Sequence, residues 1–296
     1  MRFSILTPSF NQGAFLEKNI RSVKQQDVAA DQIEHIIMDG GSTDGTVEVL
    51  KKYGDGLAYW VSEADGGQSD ALAKALARAT GDIIGWINVD EFYEPGIFRA
   101  VSDAFEQNPD AVLVYGNFRR VTPDGKTIRV NRQWRFDYDV CRTVTPTAAN
   151  CAAFFRRDRL IDVGGFDSSW ECIMDWEMFI RLMRGPKSWV RLDRVLGNFT
   201  MHRQSKTAMI QPKFAAEMKR LRQREFPELD DAAFDRMKRT QIRRMKRHML
   251  LDGVIFEKVW FKLARQRHFA AYFGDSGVRL PVFSRLLDML SPPRID

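Results

Sequence analysis

Four stretches in the first third of the chain gather hydroxyls, glycines and carboxylates behind short apolar runs. Thr7-Pro8-Ser9-Phe10-Asn11 follows Phe3 to Leu6, and Asp39-Gly40-Gly41-Ser42-Thr43-Asp44-Gly45 follows His35 to Met38. Glu63-Ala64-Asp65-Gly66-Gly67-Gln68 follows Ala58 to Ser62, and Asn88-Val89-Asp90-Glu91 follows Ile83 to Ile87. In an open α/β sheet ligands sit beyond the carboxyl ends of the strands, so four such ends in succession predict one composite site for a polar ligand. Two chemistries are excluded at once. A dinucleotide oxidoreductase places GxGxxG after its first strand, against pyrophosphate, and a Walker motif marks phosphate-loop proteins; neither pattern is present. Taken alone, the Gly-Gly-Ser-Thr-Asp-Gly run reads equally well as a tight turn and helix cap, positions that Ser, Thr and Asp favour.

The elements that must position these residues are legible in the alternation of short β-rich runs with helical periodicity. The strand candidates above are joined by Ala111 to Tyr115. Helical patterns lie near Ala14 to Gln25, Thr46 to Tyr53, Ser69 to Ala79 and Pro95 to Glu106, lengths that suit right-handed crossovers between parallel strands. This predicts a Rossmann-like half. Beyond it, Phe118 to Thr122 and Thr127 to Asn131 flank Pro123-Asp124-Gly125, the pattern of a hairpin. A mixed stretch to about Thr207, with a helix over Ile173 to Met183 and a strand near Trp189 to Leu192, completes the same domain. From about Ile210 the chain reads as helical and basic. Arg236, Lys238, Arg239, Arg243, Arg244, Lys246 and Arg247 stand beside the apolar positions Met237, Met245, Met249, Phe256, Val259 and Leu263. The expected organisation is an α/β domain over 1–207 and a basic amphipathic helical extension over 208–296.

With 296 residues, 44% hydrophobic and 28% charged, the chain has the composition of an ordinary globular protein. Its net charge of +6 belongs to the extension, where 19 Lys and Arg face 11 Asp and Glu, leaving the first 207 residues slightly acidic. Such a helix can lie on an anionic membrane surface, each basic side chain contributing about 1 kcal/mol, or pack on its own domain with its charges in solvent. No recognised RNA or DNA module accompanies the basicity, so no nucleic-acid partner is expected. The apolar run at the amino terminus is too brief for a signal peptide, and no uninterrupted apolar stretch reaches the roughly 18 residues of a membrane span. Cys141, Cys151 and Cys172 lack CxxC spacing. The expected location is the cytoplasm, peripheral on the inner face of the cytoplasmic membrane where the basic tail engages it.

Six ordered motifs then resemble one family. They are Thr-Pro-Ser-Phe-Asn-Gln-Gly (7–13), Met-Asp-Gly-Gly-Ser-Thr-Asp-Gly-Thr (38–46) and Ser-Glu-Ala-Asp-Gly-Gly-Gln-Ser-Asp-Ala (62–71), followed by Ala-Thr-Gly-Asp-Ile-Ile-Gly-Trp-Ile-Asn (79–88), Val-Gly-Gly-Phe-Asp (163–167) and Met-Asp-Trp-Glu (174–177). Across Ser4 to about Thr207 the chain is similar to the inverting family-2 glycosyltransferases of the GT-A fold. The resemblance implies a Rossmann-like mixed sheet flanked by helices. It implies transfer of a sugar from a nucleoside-diphosphate donor, a UDP-sugar first, to a hydroxyl of a glycan or lipid-linked acceptor, with Mn²⁺ or Mg²⁺ as cofactor.

By resemblance, Thr7, Pro8 and Ser9 line the nucleoside pocket, Asp39 accepts from base or ribose, and Asp65 with Lys74 holds the nucleotide. Asn11, Gly41, Gln68, Asn88 and Asp90 complete the expected nucleotide-sugar set. A carboxylate suits a uracil-type N–H or a sugar hydroxyl, and a Lys suits diphosphate as a point charge, though Lys74 reads equally as a solvated helix residue. Asn88-Val89-Asp90-Glu91 falls where the family carries its DXD-type motif, so Asp90 and Glu91 are expected metal ligands, hard oxygens suited to Mg²⁺ or Mn²⁺. His202, in a late His-x-x-Ser-Lys-Thr segment, joins them. Asp175 matches the catalytic base. Gly164, Gly165, Phe166, Asp167 and Glu177 are expected at the acceptor, with Glu177 also readable as a plain N-terminal helix charge. Two departures from the pattern stand out: Glu91 replaces the usual Asp, and Thr147-Ala148-Ala149-Asn150-Cys151 stands where the family often shows a Gln. Those departures are what a binding scaffold without catalysis would rest on. A sugar nucleotidyltransferase, the other rival, should show a basic Gly-rich loop after its first strand, and Ser9-Phe10-Asn11-Gln12 is not one.

Overall fold

The computed structural model describes residues 1–202, 211–252 and 254. One compact unit runs from Met1 to Met245, and a second begins at Lys246. The first unit is built on a nine-stranded mixed sheet. Its strands are β1 (Phe3–Ser9), β2 (Ile33–Asp39), β3 (Tyr59–Ser62), β4 (Ile83–Trp86), β5 (Glu91–Tyr93), β6 (Ala111–Val121), β7 (Thr127–Asn131), β8 (Ala153–Arg156) and β9 (Ser188–Thr200). The spatial order is β3-β2-β1-β4-β8-β6-β9-β5, with β7 added to β6. β1 pairs in parallel with β2 and β4, and β2 with β3, which is the Rossmann-like half that the crossover lengths imply. Antiparallel β8 then separates β4 from β6.

The helices of the first half, α1 (Gly13–Lys24), α2 (Thr46–Tyr53), α3 (Gln68–Arg78) and α4 (Phe98–Gln107), start and stop within about three residues of their expected positions. They are followed by α5 (Tyr138–Thr143), α6 (Arg157–Asp162), α7 (Met174–Leu182), α8 (Gln211–Glu225) and α9 (Asp231–Leu251). β4 displays the physics that fixes the layers. Its side chains alternate, Ile84 and Trp86 entering the core shared with α3 and α7, Ile83 and Ile87 the core against α4. The second core is dominated by rings, Phe3 stacked on Phe98 with centroids 4.5 Å apart and Tyr93 on Phe154 at 5.3 Å. Leu16, Ile20, Leu50 and Val89 form a smaller cluster beneath α1 and α2.

Several expectations are corrected. Ala111 to Tyr115 and Phe118 to Thr122 are not two strands but one, β6, which passes through Gly116-Asn117 with shifts in its register to β9. Asn117 is buried there because its amide is satisfied on both sides, donating to Asp193 at 3.0 Å and accepting from Gln133 N at 2.9 Å. The strand near Trp189 to Leu192 is the start of the longer β9. Short β5, β8, α5 and α6 carried no expectation, since three to six residues are too few to show a period. The expected boundary at Thr207 and the apolar positions Phe256, Val259 and Leu263 lie outside the described residues. Among the described residues, no helix is long and apolar enough to cross a membrane.

Candidate functional site

Parallel register sets Ser9, Asp39 and Ser62 abreast at the carboxyl ends of β1, β2 and β3. Asp39, buried at 1% exposure, is the acceptor they share. Its Oδ1 accepts from Ser9 Oγ at 2.8 Å and Ser42 Oγ at 2.6 Å, and its Oδ2 from Ser62 Oγ at 2.6 Å and the Ser42 backbone N–H at 2.9 Å. Four donors fill the lone pairs of a carboxylate, so any ligand N–H that reaches Asp39 must displace a serine hydroxyl, which is free to rotate. Ser62 was not among the expected site residues, although aligning the strands would have found it. Asn11, at φ 51°, ties the two neighbouring loops together, its Oδ1 accepting from Thr43 N at 2.9 Å. Thr7 lies deeper, fully buried, with its hydroxyl paired to His35 at 3.0 Å. Burial holds that imidazole neutral, its pKa lowered to about 3. Pro8 is buried between these two positions on β1.

Asp65 rests against Gly40, where an added Cβ would meet its carboxylate oxygens at 3.1 and 3.2 Å, and Gly41 takes φ 82° to turn the loop. Asp65 Oδ1 also accepts from Gly67 N at 2.7 Å. Lys74 makes an ion pair with Asp70 at 2.9 Å, and that bond, with the charges of Glu63 and Asp65 nearby, raises its pKa. Its side chain is half-exposed, as that of a solvated helix residue would be.

The end of β4 carries the third group. Asn88 Oδ1 accepts from Gln68 Nε2 at 2.6 Å and Trp86 Nε1 at 3.1 Å, joining α3 to β4. Buried Asn19 of α1 donates to the carbonyls of Asn88 at 2.9 Å and Glu91 at 3.0 Å, clamping the turn between them. Asp90 and His202 face each other with Oδ2 and Nε2 2.8 Å apart, and Phe15 lies against the imidazole with centroids 4.8 Å apart. Glu91 departs from its expected role: it is turned inward at 1% exposure. Its Oε2 accepts from Asn88 N at 2.8 Å and Asn150 Nδ2 at 2.6 Å, while buried Oε1 has no partner. The extra methylene and the place of Glu91 at the head of β5, paired to β9, carry the carboxylate beneath the loop. Both departures from the family pattern thus touch each other, Asn150 gripping the longer acid. Burial, then the charge of Asp90 and lastly that of Asp175, push the Glu91 pKa well above the carboxylate range.

Asp175 is half-buried in the first turn of α7, its Oδ1 accepting from Trp176 N at 2.7 Å, and burial raises its pKa. Glu177, two residues further along the helix, points elsewhere. It is fully buried in an ion pair with Arg181, at 2.7 and 2.8 Å, and with Arg224 of α8, so it braces helices rather than facing an acceptor. Gly164 and Gly165 turn with φ 88° and 61°, and the Gly165 carbonyl accepts from Arg181 at 2.7 Å. Phe166 is buried edge-on to Trp86 at 5.4 Å, and Asp167 caps its own turn, accepting from Ser169 N at 2.8 Å and Trp170 Nε1 at 3.1 Å. These four order the approach to α7.

A divalent cation fits Asp90 and His202 without Glu91. Two ligands of a cation at 2.0–2.1 Å, about 90° apart, stand roughly 3 Å from each other, the separation this pair already has. Among the described residues no third His, Cys, Asp or Glu joins them.

Residues 4–164 match the family described as glycosyl transferase family 2. An uncharacterized glycosyltransferase of Mycobacterium tuberculosis is 32% identical over 181 residues, 60% of this chain and 67% of that one. The hyaluronan synthase of Pasteurella multocida is 29% identical over 203 residues, 67% of this chain but 20% of the synthase. S. aureus TarS 1–349, solved with UDP-GlcNAc, superposes over 92% of this chain and 76% of its own with a TM-score of 0.64 at 17% identity. A mannosyltransferase of Pyrobaculum calidifontis, solved with GDP-Man and Mn²⁺, superposes over 92% of this chain and 81% of its own with a TM-score of 0.57 at 18% identity. The mixed sheet flanked by helices is the GT-A fold of these neighbours, and the chain belongs to glycosyl transferase family 2.

Proposed function

We propose that this protein transfers a sugar from a nucleoside-diphosphate sugar, a UDP-sugar first, to a hydroxyl of a glycan or lipid-linked acceptor with inversion. The observation that carries this reading is the register that sets Ser9, Asp39 and Ser62 abreast at the carboxyl ends of β1 to β3, with the Asp90–His202 pair at 2.8 Å beyond β4, the other neighbour of β1. The nucleoside lies over Ser9, Asp39 and Ser62, where a base N–H or ribose hydroxyl replaces a serine hydroxyl on Asp39. Asn11 and Gly41 shape the loops that border it, and Gln68 with Asn88 forms the floor toward the sugar. Asp65 and Lys74 stand at the mouth. Asp90 and His202 would hold Mn²⁺ or Mg²⁺, which when bound would supply charge neutralisation for the departing diphosphate. Asp175 takes the proton of the acceptor hydroxyl as its oxygen attacks the anomeric carbon on the face opposite the diphosphate. Its raised pKa strengthens it as a base, and its Oδ1 is held by Trp176 N.

The direct test is a panel of nucleotide sugars incubated with protein and Mn²⁺, read by released nucleoside diphosphate. One donor should stand well above the rest, a UDP-sugar first; no release from any donor would defeat the proposal.

The acceptor side extends to a membrane. On the part of α9 within the first unit, Arg236, Arg239 and Arg243 are exposed. Charges near an anionic surface at about 1 kcal/mol each suit a lipid-linked acceptor. Vesicles containing anionic lipid should retain the protein at low salt and release it at high salt, and equal retention on neutral vesicles would count against the idea.

A further inference from the structure

One side of α8 is bonded residue by residue to the loop that delivers Asp175. Lys213, Glu217, Arg220 and Arg224 are spaced i, i+4, i+7 and i+11, so they share a helix face. Lys213 pairs with Glu171; Arg220 donates to the Ser169 carbonyl at 3.0 Å and hydroxyl at 2.9 Å and covers the Trp170 ring at 4.0 Å; Arg224 pairs with Glu177. At the centre is Glu217, only 7% exposed. Its Oε1 accepts from the Glu171 N–H at 2.9 Å, and its Oε2 from the Cys172 and Ile173 N–H groups at 2.9 and 3.1 Å.

Three consecutive amides aimed at one point form an anion-binding concavity, and here the anion is a side chain from another helix. α7 has no local device to do this, since its N-cap, Ile173, offers no side-chain cap. Asp175 follows two residues later. Without Glu217 three converging N–H dipoles would face one another's partial charge with no acceptor, and the segment would open to find water.

We infer that Glu217 is a positioning residue for the transfer reaction: it fixes the backbone of 171–173 and thereby the direction in which Asp175 is presented. This rests on the proposed role of Asp175 as base. It gives α8 a function at the catalytic centre.

The test uses the full-length protein, the best UDP-sugar of the panel as donor and water as acceptor. Glu217→Gln is isosteric but presents N–H donors to backbone N–H groups; Glu217→Asp keeps the charge and withdraws it by one methylene. Glu217→Gln should lower the rate of UDP release at least about tenfold, leave UDP binding by calorimetry within about twofold, and speed hydrogen exchange in the peptide spanning Ser169–Trp176. Glu217→Asp should recover part of the rate, and is read by the same criteria if the Gln variant does not fold. Added to Asp175→Asn, Glu217→Gln should cause no further loss, because it acts through Asp175. An unchanged rate for Glu217→Gln, a matching fall in UDP affinity, or additive loss in the double variant overturns the inference. Full release by Asp175→Asn alone would instead remove the base assignment, so the two failures are told apart.

Discussion

Asp175→Asn should cut sugar transfer by about two to four orders of magnitude while UDP binding stays close to that of the unaltered protein. The amide has the same shape and can still accept from Trp176 N, so α7 and its entry loop keep their structure. What is lost is the ability to take a proton. The sign of the pH dependence follows from the raised pKa of Asp175. A base works deprotonated, so transfer should rise with pH through a limb lying above the ordinary aspartate value, and be lost as pH falls through it. In the Asn variant that limb should vanish. The measurement is the rate of nucleoside diphosphate release with the preferred donor across pH, beside calorimetry with UDP. Undiminished transfer by the variant would remove Asp175 from the mechanism.

Chelating the divalent cation should have an effect as large, because neutralising a departing diphosphate contributes several kcal/mol, roughly a thousandfold or more in rate. EDTA-treated protein should be silent, and Mn²⁺ or Mg²⁺ should restore it. The ligands can be ranked by the geometry. Asp90 and His202 meet at 2.8 Å, so Asp90→Ala or His202→Ala should raise the Mn²⁺ needed for half-maximal rate by at least about tenfold, since even outer-shell partners of a metal are typically worth 10–100-fold. Glu91→Gln should leave that requirement nearly unchanged, because the Glu91 carboxyl is buried beneath the turn, held by Asn88 N and Asn150, with a pKa pushed well up. Titrating Mn²⁺ against rate for the three variants decides the matter: full activity in EDTA, or Glu91→Gln behaving like Asp90→Ala, would be the contrary result.

Glu91 and Asn150 also illustrate how departures from a family pattern should be weighed. Each, considered alone along the sequence, argued for an impaired enzyme. In space they form one 2.6 Å hydrogen bond 59 residues apart, a matched pair that orders the underside of the Asp90 turn.

Much of the candidate site was readable from residue types because strand ends and turn chemistry are local. A run such as Phe3 to Leu6 followed by Thr-Pro-Ser-Phe-Asn announces a strand and its polar end together, and parallel neighbours bring such ends to one edge without further information. The β1–α1 and β2–α2 loops followed by the same route. β6 was read as two pieces because Gly116-Asn117 breaks the apolar run, and only pairing with β9 carries a strand through it. The charges of α8 were beyond sequence reading for a related reason. Lys213, Glu217, Arg220 and Arg224 have the spacing of a solvated face, and no local signal distinguishes water from a loop some forty residues away as their partner.

The sequence by itself determined the class of fold, the family and the ring of candidate residues, since these depend on period, on turn preference and on motifs of contiguous residues. The tertiary structure alone decided that Glu91 is buried beneath its turn while Asp90 meets His202, and that Glu177 is locked to arginines while Asp175 accepts from Trp176 N. Those choices turn on burial and on partners distant along the chain, and neighbouring residues of like chemistry carry no record of either.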